Sequence, residues 1–139
     1  MNIDVLLERG AKKPCKAHTT DAGFDLFTPF EFTLPPKGSA IVDTSVHMIL
    51  PPGTCGVLVS KSGLNTRNDI ETTGLIDSGY VGSIVVKLQN HSDREYHFNK
   101  GEKISQIIIL PVPEVELVEI DELPETERSN KGFGSSGRF

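Results

Sequence analysis

In Gly74-Leu75-Ile76-Asp77-Ser78-Gly79-Tyr80-Val81-Gly82 an aspartate follows an apolar pair and precedes a tyrosine by three residues. That spacing can set a carboxylate and an aromatic ring on one concave surface. Asp77 could then orient and deprotonate a water while Tyr80 packs beneath a sugar. The same residues can form a β-hairpin with Asp-Ser-Gly as its turn. Lys61-Ser62-Gly63-Leu64 directly follows an apolar run. A hydroxyl and backbone N–H groups therefore stand at a strand end, where glycine lets an anion come close; a polar turn is the alternative. Thr20-Asp21-Ala22-Gly23-Phe24-Asp25-Leu26 puts two carboxylates around a glycine. It reads either as a turn with Asp21 accepting from the backbone, or as a carboxylate facing a hydrated divalent cation.

Near the end of the chain, Arg128 and Lys131 stand beside Gly132-Phe133-Gly134-Ser135-Ser136-Gly137. A Gly/Ser terminus is ordinarily frayed. An aromatic in a basic tail, however, gains most by stacking on something planar, and an arginine suits a phosphate. Arg128 and Phe133 together describe a lid over a nucleotide.

These groups need a scaffold, and 139 residues supply one domain with one modest core. A large active site must then be shallow or shared between subunits. With 37% hydrophobic and 24% charged residues the chain has a globular balance. Its net charge of −5 disfavours a general nucleic-acid binder, which needs excess Lys and Arg against phosphates. Cys15 and Cys55 lie in no close-spaced motif and read as two buried or idle thiols. The start has too short an apolar run for a signal peptide, and no stretch reaches membrane-spanning length, so a cytoplasmic location is expected.

Short β-prone segments recur at 3–7, 30–34, 40–50, 54–60, 83–89 and 103–110, separated by Gly, Pro and Asp. No long run has helical periodicity, and only the stretch after Ser62 leaves room for a short helix. Val57-Leu58-Val59, Ile84-Val85-Val86 and Ile107-Ile108-Ile109-Leu110 are continuous apolar runs, expected to be buried on both faces between sheets or in a subunit contact. The pattern predicts an all-β sandwich or jelly roll. Residues 1–110 are read as the catalytic core, and 111–139 as an extended strand and mobile arm of the same domain.

Taken in order, the pieces resemble the five motifs of the trimeric dUTPase family. Ala22-Gly23-Phe24-Asp25-Leu26 is similar to the first, Lys61-Ser62-Gly63-Leu64 to the second and Gly74 to Tyr80 to the third. Gly101-Glu102-Lys103-Ile104-Ser105-Gln106 is similar to the fourth, and Arg128 with Gly132 to Gly137 to the fifth. The resemblance implies hydrolysis of dUTP to dUMP and pyrophosphate, limiting uracil in DNA and supplying dUMP for dTMP synthesis. It implies Asp77 as the base, Mg²⁺ on the phosphates and Asp25 holding that ion's waters. Lys61, Ser62, Gly63, Gln106, Arg128 and Ser135 would meet phosphates. Gly74, Leu75 and Ile76 would offer main-chain groups to uracil from a hairpin; Tyr80 and Val85 would complete the pocket, and Phe133 and Gly134 would cover the base. It also implies a homotrimer with a swapped C-terminal arm, sites shared between subunits, and neither nucleic-acid nor membrane partners.

The sequence departs from the family at several points. Lys61 stands where arginine is usual, which exchanges a bidentate fork for a point charge. Gly79 replaces a common acidic residue, Ser129-Asn130-Lys131 replaces a glycine-rich start, 65–73 is short, and Glu71 has no assigned role. Two other readings are open: a dCTP deaminase-like enzyme, against which Asp77 in place of glutamate counts, and a regulatory protein that uses the fold to select a partner.

Overall fold

A computed structural model describes residues 1–138. Two four-stranded antiparallel sheets face each other. The first is ordered β1 (Asp4–Leu7), β4 (Ser39–Ile49), β8 (Ser83–Asn90), β6 (Ile70–Glu71), and the second β2 (Phe24–Phe27), β10 (Lys103–Pro111), β5 (Thr54–Val59), β7 (Thr73–Asp77). A two-stranded ribbon joins β3 (Phe32–Leu34) to β9 (Tyr96–Phe98), and α1 (Ser62–Asn68) follows β5. This is the expected all-β jelly roll, with its helix where the sequence left room for one.

Alternation along the strands builds the core. On β8, Ile84, Val86 and Leu88 turn inward while Val85, Lys87 and Gln89 face out. They meet Val42, Val46 and Met48 of β4 and Leu26, Leu58, Ile104 and Ile107 of the opposite sheet. Within one chain the apolar runs are thus buried on one face only, so burial of both faces between the two sheets is excluded and the subunit-contact alternative is the one left for their outer faces. Val85 is 41% exposed and Leu110 43%. Gly56 lets the sheet close, since a Cβ there would lie 2.7 Å from Ile107 Cδ1.

Two further expectations change. The segment around Asp77 is not a hairpin: β7 pairs with β5, whereas β8, which follows the turn, pairs with β4 and β6 in the other sheet. The chain crosses between sheets at that turn, after β7 has turned Ile76 toward the core. Beyond Pro111 there is no strand among the described residues, and every residue from Leu110 to Arg138 is exposed. The accessible surface is 9978 Å², against about 7,100 Å² for a compact monomer of this mass. The excess lies in this arm and in outward apolar side chains such as Leu75 and Ile41.

Candidate active site

Three segments converge on one buried carboxylate. Asp25 sits on β2, which pairs with β10 on one side and is bridged at Cys15 on the other. Its backbone N–H donates to the Cys15 carbonyl at 2.7 Å. Lys61, where β5 gives way to α1, donates to Asp25 Oδ1 at 2.5 Å, and Lys103, opening β10, approaches Oδ2 at 2.6 Å. The carboxylate is 4% exposed, the lysines 27% and 43%. Burial alone would raise the Asp25 pKa, but the hydrogen bonds and charges of Lys103 and Lys61 outweigh it and hold the group ionised below its ordinary value. The same contact raises Lys103. Two ammonium groups face one buried carboxylate here, with Asp21 a second negative charge acting on Lys103; the exposed sides of the ammonium groups suit an anion.

The neighbouring groups fit that use. Gln106 donates to the Ser60 carbonyl at 3.0 Å, and a Cβ at Gly23 would lie 2.8 Å from Gln106 Oε1, so the glycine makes room for the amide. Ser62 is exposed in the first turn of α1. Nothing lies within 4 Å of a Cβ placed on Gly63, so that glycine faces open space. The carboxylate of Asp25 and the amide of Gln106 stand in one row across the sheet, continued by Val59 and Thr73.

Asp77 belongs to a different row, opposite Cys55, which in turn faces Leu110. Four residues along the strands and three strands across separate it from Asp25, roughly 20 Å in all. Asp77 and Ser78 line a cleft of about 370 Å³ with Thr54, Cys55, Val112 and Glu114. The turn after Asp77 closes by Tyr80 N–H donating to the Asp77 carbonyl at 3.1 Å, and Tyr80 Oη donates to the Ser83 carbonyl at 2.8 Å. A Cβ on Gly82 would overlap the Tyr80 ring. As the edge of its sheet, β7 leaves every other backbone N–H and C=O from Thr73 to Asp77 turned away from β5. Leu75 is 66% exposed on this edge strand. Val85 lies on the outer face of the other sheet, opposite Asp43.

The arm stands apart. Arg128 donates through Nε to the Lys131 carbonyl at 3.0 Å and through Nη2 to that of Gly132. Gly134 adopts φ 80°, Ser135 N–H caps the turn from Gly132, and Phe133 is fully exposed. Thus one chain brings Asp25, Lys61, Ser62, Gly63 and Gln106 together, and brings Gly74, Leu75, Ile76, Asp77 and Tyr80 together elsewhere. Arg128, Phe133, Gly134 and Ser135 join neither group. Lys103 had no role in the sequence reading; only the register of β10 against β2 reveals it.

The dUTPase family pattern matches residues 9–137. The deoxyuridine 5'-triphosphate nucleotidohydrolase of Alkaliphilus metalliredigens is 42% identical, covering 91% of this chain and 90% of that protein. Staphylococcus bacteriophage 80alpha dUTPase with dUPNHPP superposes with a TM-score of 0.91 at 31% identity, over 98% of each chain. A mutant dUTPase from phage phi11 of S. aureus, described with a structural Mg(II) ion, superposes at 0.81 with 28% identity, over 88% of this chain and 98% of that one.

Proposed function

This chain belongs to the dUTPase family and hydrolyses dUTP to dUMP and pyrophosphate, and from that premise we propose that the reaction runs at a site assembled from several copies, in the cytoplasm. The observation that carries the proposal is the register, which sets Asp77 four residues along and three strands across from the Asp25–Lys61–Lys103 cluster within one chain, roughly 20 Å at ordinary strand spacings. A base cannot serve a phosphorus held that far away. A homotrimer offers the remedy, because a head-to-tail contact sets the β7 edge of one subunit against the cationic cluster of the next. The excess surface and the outward apolar residues support such a contact.

At the assembled site Asp77 orients a water and takes its proton as the oxygen attacks the α-phosphorus, and pyrophosphate leaves in line. Lys61, Ser62 and Gln106 hold the phosphates, which approach closely over Gly63. The outward main-chain groups of β7 around Gly74, Leu75 and Ile76 pair with the polar edge of uracil. Cytosine presents the opposite pattern and would leave them unpaired, a difference on the order of 10⁴ in comparable polar sites. Tyr80 packs beneath the deoxyribose, and Val85 flanks the turn behind it.

Magnesium fits this donor set through the substrate. Among the described residues no three His, Cys, Asp or Glu side chains cluster. Mg²⁺ commonly keeps several waters and draws other ligands from phosphates. Both Asp25 oxygens are engaged by ammonium groups, so Asp25 would hold such an ion by accepting hydrogen bonds from its waters through the remaining lone pairs rather than by ligating directly. The ion supplies neutralisation of phosphate charge.

The direct test incubates the purified chain with Mg²⁺ and dUTP, dCTP or dTTP. dUMP and pyrophosphate from dUTP alone are expected; ammonia from dCTP would favour the deaminase reading.

The arm closes the site. Arg128 lies 17 residues beyond Pro111, a stretch that can span up to about 60 Å, enough to reach a neighbouring subunit. There Arg128 and Ser135 would meet phosphates, and Phe133 with Gly134 would cover the base and exclude water. Deleting everything after Glu127 should lower kcat/KM by roughly 100-fold. The melting temperature and the mass by light scattering should not change; loss of the trimer would contradict a purely mobile arm.

A further inference from the structure

The turn that carries Asp77 and Tyr80 is held from outside by a histidine. His47 lies on β4, where the pairing with β8 slips: Asp43 faces Val85, but His47 already faces Ser83. The slip is built in. Ser45 takes φ 56°, its N–H accepted by Asp43 Oδ1 at 2.8 Å. Thr44, fully buried, donates to the Ile84 carbonyl at 2.7 Å. The bulge delivers the His47 ring between two acceptors, the Val81 carbonyl at 2.8 Å from Nδ1 and Glu8 Oε1 at 2.9 Å from Nε2.

A carbonyl and a carboxylate oxygen can only accept. With both bonds made, both ring nitrogens carry protons, so this arrangement belongs to the protonated ring. We propose that His47 is a positioning residue for the known reaction: its imidazolium clasps the end of β1 to the 78–82 turn and thereby sets Tyr80 against the sugar, so that preference for deoxyribose over ribose depends on it. The proposal rests on Tyr80 being the sugar contact. It goes further in naming what holds Tyr80 in place from outside the turn, beside the Tyr80 N–H to Asp77 carbonyl bond that closes it, the Tyr80 to Ser83 bond and the Ser83 Oγ bond to Asp43 Oδ2 at 3.0 Å.

The charged groups facing His47 are Glu8 after β1 and Asp43 on its own strand. The hydrogen bond to the Val81 carbonyl raises its pKa most, and both carboxylates favour the protonated ring as well. A raised histidine pKa stabilises the clasp fully below the unfolded value near 6.5, and that stabilisation is lost as pH climbs through the higher folded value. Above that point Nε2 has no proton to offer Glu8.

The experiment measures kcat and KM for dUTP and UTP from about pH 6 to 9, a window that brackets the histidine titration, on the full chain and on His47→Ala, His47→Gln, Glu8→Gln and Tyr80→Ala. For His47→Ala, KM for dUTP should rise about 5–10-fold with kcat little changed, and the dUTP preference over UTP should narrow by a similar factor. The parent's KM should climb with pH, and that climb should be absent in His47→Ala. His47→Gln, which can reach one acceptor only, should fall between them. If His47→Ala fails to fold, Glu8→Gln decides, because it removes the carboxylate alone and should flatten the pH dependence of KM. Unchanged KM, preference and pH slope in the folded variant overturn the clasp. Should Tyr80→Ala leave the preference intact, the sugar assignment itself fails; a shift with Tyr80→Ala but none with the His47 and Glu8 variants removes the clasp alone.

Discussion

Replacing Asp77 by asparagine should lower kcat by about 10²–10⁴-fold, the contribution usual for a positioned general base, and leave nucleotide affinity within about threefold. The amide keeps the shape and one accepting oxygen, so a water can still be oriented. It cannot take the proton when that water attacks. Asp77 closes its turn through its backbone carbonyl, which receives the Tyr80 N–H, and the substitution leaves that bond alone. Calorimetric titration with a dUTP analogue carrying a nitrogen bridge between its α- and β-phosphates separates binding from turnover. A second carboxylate, Glu114, lines the same cleft. If Asp77→Asn turns over at a near-normal rate and Glu114→Gln does not, the base has been misassigned.

Much of the fold was legible because its longer strands alternate or run apolar. The 83–89 segment announces β8 through Ile84, Val86 and Leu88, and 103–110 announces β10. What was not legible is short or mixed. β9 is three residues, Tyr96–Phe98, set among charged neighbours. β6 has two, and β7 alternates in burial but turns Leu75 outward and Gly74 inward, so the sequence of neither shows an apolar period. Sequence cannot tell a hairpin from a crossing between sheets, because a turn of Asp77-Ser78-Gly79 serves both; only the pairing of β7 with β5 decides. The candidate site divides in the same way. Residue types marked Asp25, Lys61 and Asp77, but spacing gave no sign that Lys103 shares the Asp25 carboxylate, or that a bulge on β4 would deliver His47 to the turn after Asp77. Those facts reside in strand register, which is a property of pairs of segments.

Register also generates the sharpest consequence of the proposed assembly. An Asp77→Asn chain keeps an intact cluster at Asp25, Lys61 and Gln106, and a Lys61→Ala chain keeps an intact base. If each site joined both halves from one chain, mixed oligomers would be no better than the average of their parents. If a site joins the cluster of one subunit to the β7 edge of the next, every mixed trimer contains one junction at which both halves are whole, whichever chain is present twice. Tandem affinity purification of co-expressed, differently tagged variants should therefore yield trimers with about one third of the parental kcat, from parents each depressed by roughly 100-fold or more. The KM of the recovered activity should equal that of the unmutated chain, since the surviving sites are complete. Dilution of the two purified parents without exchange of subunits provides the baseline. Mixed trimers that stay at that baseline would place both halves of the site within one chain, and the strands would then have to bring Asp77 across the roughly 20 Å that their pairing now fixes.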